Sequence, residues 1–149
     1  MMYNKILVPL DGSSTAERGL REAIGLATEL KGKLLLLHIA DYFPMLVEMA
    51  STASSRALQE DFRQYAETVL DKAKRAAQDA GVQAETLFRE MTQGRVAEVI
   101  VDEAQKSHCD LIVMGTHGRR GFSRMAMGSE AERVVRFSPV PVLLIRQEE

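Results

Sequence analysis

Four stretches of this chain are almost continuously apolar: Lys5 to Leu10 (KILVPL), Lys33 to Ile39 (KLLLLHI), Leu111 to Gly115 (LIVMG) and Val140 to Ile145 (VPVLLI). Short apolar runs bounded by turn residues predict strands covered on both faces, as in a parallel sheet. Val82 to Phe88 alternates apolar and polar residues, which predicts a strand nearer the sheet edge. Between these runs the apolar period becomes helical. Ala16, Leu20, Ala23, Ile24, Ala27 and Leu30 share one face, with Ser13 or Ser14 as cap and Gly32 as terminator. Leu58, Phe62, Tyr65, Val69, Ala73 and Ala76 mark a long helix from Arg56 to Ala80, ended by Gly81. A third helix, Gly94 to Lys106, carries Val96, Val99, Ile100 and Ala104. The last runs from Ser129 to about Phe137, with Ser129 as N-cap and Glu132 three residues on, a capping-box pattern. Ala40 to Ser55 shows no firm period, and Pro44 breaks it.

Strand and helix thus alternate along the whole chain without an internal repeat or a linker. That pattern predicts an α/β fold: one doubly wound, five-stranded parallel sheet with right-handed crossovers and helices on both faces. Residues 1–149 make one domain of ordinary size, long enough for a substantial core. In such sheets ligands bind beyond the carboxyl ends of the strands, where the strand order reverses.

Composition removes several classes of function. A net charge of -2 supplies no global basic field for nucleic acid. No apolar run approaches the roughly 20 residues that a membrane-spanning helix needs. The N-terminal MMYNKILVPLDGSS lacks the plan of a signal peptide, and the single Cys109 allows no intramolecular disulfide. Together these features predict a cytoplasmic protein.

The candidate chemistry lies between the fourth strand and the last helix. The loop there holds Gly115, Gly118, Gly121 and Gly128, three arginines (Arg119, Arg120, Arg124) and no acid. Glycines admit a ligand close to backbone N–H groups. A helix start adds further N–H groups and the positive end of a dipole, and Ser129 adds a hydroxyl. The loop chemistry fits a phosphate cradle, and it equally fits a surface loop with turn glycines and solvated arginines. Asp11 follows the first strand directly. A carboxylate there can accept from ribose hydroxyls or cap the first helix. His38, His108 and His117 match no metal-ligand spacing and read as core or loop residues, with His117 inside the cradle loop. Cys109 reads as a small buried hydrophobe, and Met125 and Met127 as packing groups. The chain contains no Walker A pattern and no evident serine–histidine–acid arrangement.

Gly115, two residues, Gly118, nine residues, then Gly128-Ser129 resembles the nucleotide signature of the universal stress protein family. DLIVMGTHGR before it, VPVLLIR after it and KILVPLDGS at the N-terminus are similar to that family too. The resemblance implies strand order 3-2-1-4-5, with strands one and four side by side and the Asp11 and Gly115 turns on one crevice. It implies ATP, with Mg²⁺, as cofactor. Asp11 would contact the nucleotide, Pro9 and Leu10 would line the same wall, and backbone at Ile39, at the end of strand two, would meet the adenine edge. Met114 and Ala40 would touch the base or belong to the core. Gly115, His117, Gly118, Arg119, Gly128, Ser129 and Glu130 would complete the site. Asp11 and Ser129 can help hold Mg²⁺ through the phosphates, with no dedicated general base in view.

The first functional expectation is therefore an ATP-binding regulator of a stress response. The second is a slow ATPase or phosphotransferase, and the third an interaction protein of the same fold without nucleotide. The resemblance also implies a homodimer through antiparallel pairing of the C-terminal strand. A higher homo-oligomer and a protein or transporter partner stay open.

Overall fold

The apolar and helical periods translate into nine elements in a computed structural model, which describes residues 2–42, 52–117 and 127–146. In chain order they are β1 (Lys5–Pro9), α1 (Ser14–Leu30), β2 (Lys33–Asp41), α2 (Thr52–Asp79) and β3 (Ala84–Met91). Then follow α3 (Val96–Lys106), β4 (Leu111–Gly115), α4 (Ser129–Phe137) and β5 (Val142–Ile145). All four strand pairings are parallel, and the order is β3-β2-β1-β4-β5. The expected α/β architecture and strand order are both present.

The order dictates which face each helix covers. From β1 the chain steps outward to β2 and β3, then returns past β1 to β4 and β5. Right-handed crossovers in opposite directions place helices on opposite faces. On one face Leu20, Ala23 and Ala27 of α1 and Leu70, Ala73 and Ala77 of α2 pack on Ile6, Val8, Leu34, Leu36 and Val113. On the other, Ala97, Ile100 and Ala104 of α3 and Ala131 and Val134 of α4 pack on Leu7, Leu35, Leu37 and Ile112. Neighbouring residues of one strand thus serve different layers, which is why the strands are apolar without alternation. Each fully buried leucine contributes about 1.5–3 kcal/mol. The two outer strands differ. β3 lies at the sheet edge as expected, but its burial does not alternate: Ala84 and Met91 are buried at its ends, and Glu85, Thr86, Arg89 and Glu90 are exposed between them.

β1 is central, and its partners lie far apart in sequence. Asn4 N and Lys5 N donate to the Asp110 carboxylate at 2.9 and 3.1 Å. Asp110 N donates to Lys5 O at 2.9 Å. One side chain therefore aligns the start of β1 with the start of β4.

Several boundaries differ from the sequence reading, each for a local reason. β2 continues to Asp41 and β3 to Met91 because their ladder persists to Asp41↔Met91. α2 starts at Thr52, ahead of Arg56. On it Ala73 is buried as expected and Phe62, Tyr65 and Val69 are partly buried, while Ala76 is exposed and Ala77 takes its place in the core. Gly32 does not terminate α1 by its own conformation. Lys31 takes the left-handed turn (φ 57) and Gly32 N donates to Ala27 O. Gly32 is small for another reason: a Cβ there would lie 2.5 Å from Tyr3 O. α2 ends the expected way, with Gly81 left-handed (φ 76). His108 does the same for α3 at φ 57, with Cys109 N donating to Ala104 O.

Candidate functional site

The sheet opens at the carboxyl end of β1. With β2, pairing extends to Pro9↔Leu37, and Leu10 N still donates to Leu37 O at 2.8 Å. With β4, pairing is recorded only at Ile6↔Leu111 and Leu7↔Ile112. This is the switch point of strand order, where α/β sheets accept ligands. Backbone direction alternates along a parallel strand, so the groups bordering the opening can be assigned. Leu37 O points toward β1 and Leu34 N toward β3, where it donates to Gln83 O. Ile39 therefore directs its N–H and C=O to the β1 side, beyond the end of β1. Ile112 N and Thr116 N both point toward β5, to Pro141 O and Ile145 O. Gly115 consequently faces β1 from the other flank. Ile39 lies inside β2, not at its end as expected, because that strand continues to Asp41.

Asp11 stands between these flanks. Its carboxylate accepts from Ser13 N at 2.9 Å, and Ser13 Oγ accepts from Ala16 N at 3.1 Å. Ser13, not Ser14, is the cap of α1. The two readings of Asp11 are compatible: it shapes the turn through one oxygen and sits half-exposed at the opening. Pro9 is half-buried beside it, whereas Leu10 belongs to the core.

The returning loop is anchored at its base. Gly128 N donates to Thr116 O at 2.7 Å, so α4 starts at the carboxyl end of β4. A Cβ on Gly128 would lie 2.8 Å from that carbonyl. The glycine is required by this close approach and not by its backbone angles (φ -62). The capping box expected at Ser129 does not form. Gly128 is the N-cap and no side chain caps the helix. Ser129 occupies the first helical position and is exposed. Glu132 turns to Arg136 at 3.0 Å. Glu130 accepts from Ala97 N at 2.7 Å and so caps α3, whose own N-cap Arg95 makes no side-chain bond. Both acids of the first turn are directed elsewhere, leaving the start of α4 to its N–H groups and dipole.

His117 is buried just past β4. Its Nδ1 lies 3.1 Å from Thr116 Oγ1, and its Nε2 meets no hydrogen-bond partner among the described residues. Met114 and Ala40 are buried in the core. His38 is also buried, as read. Cys109 is buried too, and desolvation pushes its thiol up to about 11, so it is no nucleophile at neutral pH. Met127 is exposed rather than packed. Gly118, Gly121, Arg119, Arg120, Arg124 and Met125 lie outside the described residues. Sequence reasoning missed the parts that Thr15 and Tyr65, outside the motifs, and Thr116, inside one, play in shaping the turns. Tyr65 carried only a core signal, from its place in the apolar stripe of α2. Two surface grooves, about 610 Å³ between α2 and β3 and about 390 Å³ between α3 and α4, include none of the expected site residues. Among the described residues the site is marked by its converging backbone groups.

Comparison with known proteins agrees with the fold. The model of the universal stress protein family matches residues 2–146. The universal stress protein MJ0531 of Methanocaldococcus jannaschii is 34% identical, over 98% of this chain and 84% of its own. The solved structure of MJ0577 from the same organism superposes with a TM-score of 0.88 at 29% identity, covering 100% of this chain and 99% of that one. A universal stress protein of Archaeoglobus fulgidus solved in complex with dAMP superposes with a TM-score of 0.70 at 24% identity. The two chains are covered to 98% and 100%.

Proposed function

As the chain belongs to the universal stress protein family, we propose that it binds ATP at the carboxyl ends of β1 and β4 and acts in the cytoplasm as a nucleotide-dependent regulator of a stress response. The observation that carries this reading is the uncapped start of α4 at Gly128-Ser129, fixed to Thr116 beside the opening of the sheet. Such a helix start favours phosphate. The dAMP complex of the Archaeoglobus fulgidus relative supports an adenine nucleotide as the ligand class.

The residues present fit that ligand. The N–H groups at Ser129 and Glu130 would hold phosphate, with the Nε2 of His117, which meets no partner among the described residues, as a further polar partner. Asp11 would accept from the ribose, and the inward-facing backbone of Ile39 would meet the adenine edge. Gly118 and Arg119 would complete the phosphate side. No group of three or more His, Cys, Asp or Glu that could hold a metal occurs among the described residues. Mg²⁺ would therefore enter with the phosphates, which suits a cation that keeps most of its water. Glu130 and Glu132 are engaged by Ala97 N and Arg136, which favours retention of the nucleotide over hydrolysis.

Mass spectrometry of small molecules released on denaturing the purified protein, followed by calorimetric titration with ATP, tests the reading. ATP should bind the native chain and fail to bind Gly128→Val. Phosphate release well above that variant would favour the slow ATPase. Absence of both bound nucleotide and binding heat would overturn the proposal and leave an interaction protein.

We also propose a homodimer. β5 is an outer strand whose residues are all partly exposed, Leu143 to 37%. Pro141 precedes the strand and faces β4, no charge interrupts the run before Arg146, and an apolar outer strand of this kind calls for a partner.

A further inference from the structure

Three consecutive residues of the β1–α1 turn are held by groups from outside it. Leu10 O accepts from His38 Nδ1 at 2.7 Å, and His38 is a buried residue of β2. A carbonyl can only accept, so this ring nitrogen carries the proton. Asp11 O accepts from the Tyr65 hydroxyl of α2 at 3.1 Å. Gly12 (φ 87) lies under the same side chain, where a Cβ would stand 2.0 Å from the Tyr65 oxygen. The two outside groups also brace each other. The rings of Tyr65 and His38 meet edge-on at 5.7 Å, and His38 stacks on Phe88 of β3 at 6.1 Å.

A turn that contains a left-handed glycine has much conformational freedom to lose. Inside the turn the Asp11 carboxylate accepts from Ser13 N. Two external donors on successive carbonyls remove that freedom before any ligand arrives. A nucleotide contact made by Asp11 then costs less ordering. Both carbonyls lie beyond Pro9, the last paired residue of β1.

We propose that Tyr65 and His38 are positioning residues of the nucleotide site, which fix the Leu10–Gly12 backbone so that Asp11 is presented to the ribose. The proposal makes α2, which contributes nothing to the signature motif, a working part of the site. It rests on the nucleotide reading above, and its test separates the two.

Amide hydrogen exchange without nucleotide is compared in native protein, Tyr65→Phe, His38→Leu and His38→Asn, and the same four are titrated with ATP and with inorganic triphosphate. Tyr65→Phe keeps the ring and loses the donor. His38→Asn keeps a donor near the Nδ1 position, and His38→Leu does not. In Tyr65→Phe and His38→Leu the Ser13 amide should exchange about fivefold faster, the worth of one hydrogen bond, with β4 amides unchanged. ATP should weaken by a similar factor while triphosphate stays within about twofold, and His38→Asn should recover most of the loss. Unchanged exchange at Ser13 would overturn the tether whether or not nucleotide binds. Faster exchange with unchanged ATP affinity, or equal losses for ATP and triphosphate, would overturn its positioning role. Faster exchange in a protein whose native form binds no nucleotide would refute the nucleotide reading, and with it any ribose for Asp11 to meet.

Discussion

Gly115 stands so close to Thr15 that a Cβ on the glycine would lie 2.4 Å from the threonine Cγ2. The sequence motif assigns Gly115 to a ligand, yet in the folded chain its missing side chain also admits the first turn of α1. Gly115→Ala should therefore cost about 1–3 kcal/mol of stability, the usual result of overpacking a buried contact. Thr15→Ser removes the offending methyl and should recover more than half of that loss in the double variant. Denaturant melts of the four proteins measure both effects.

Asp11 has two separable tasks. Asp11→Asn keeps an oxygen for Ser13 N but loses the charge, whereas Asp11→Ala loses both. Melting should show Asp11→Ala less stable by about 1 kcal/mol, with Asp11→Asn near the native value. Titration should show Asp11→Ala weakening ATP more than triphosphate. Equal losses for the two ligands would place its action on the phosphates or the fold.

Glu130 is expected at the ligand by resemblance, and in the fold its carboxylate reaches from α4 to cap α3. Replacing it with alanine removes the acceptor of Ala97 N and a negative charge at a helix N-terminus. The expected cost is about 1 kcal/mol, read by thermal melting. ATP affinity should change by less than about threefold, which is under 1 kcal/mol. A tenfold or larger loss would return Glu130 to the nucleotide.

The proposed dimer is best probed at Leu143, the most exposed apolar side chain of β5. Val142 and Leu144 pack toward the α3–α4 layer, so substituting them would injure the core as well. Leu143→Lys should shift sedimentation toward monomer with little change in melting. A native protein that sediments as a monomer at tens of micromolar would end the idea.

The parallel sheet was legible because the apolar runs are signals that local detail does not disturb, while its strand order came only from the family resemblance carried by the glycine-serine motif. The ends of elements were not. Lys31 and His108 take left-handed turns that nothing in their residue type announces, and Gly32 next door invites the wrong assignment. Ser129 was misread because Glu132, its supposed capping partner, finds Arg136 one turn away. In the site, Asp11 and the glycines announce themselves by type. Tyr65 and Thr15 do not, since their roles exist only once α2 and α1 are laid against the turns.

The bond between Asn4 and Asp110 has a consequence for how the protein is made. β1 is made before the other strands of its sheet and lies at the centre, but the strand on one of its sides arrives 106 residues later. At about 5–20 residues per second that is a wait of roughly 5–20 s. During it β1, β2 and β3 can assemble under α1 and α2, while Leu7, Leu35 and Leu37 face outward without α3 and α4. The nascent half-sheet offers both an open backbone edge and a bare apolar surface. Chaperones that recognise extended apolar chain should therefore engage this protein most strongly before Asp110 emerges, and release it once β4 closes on β1.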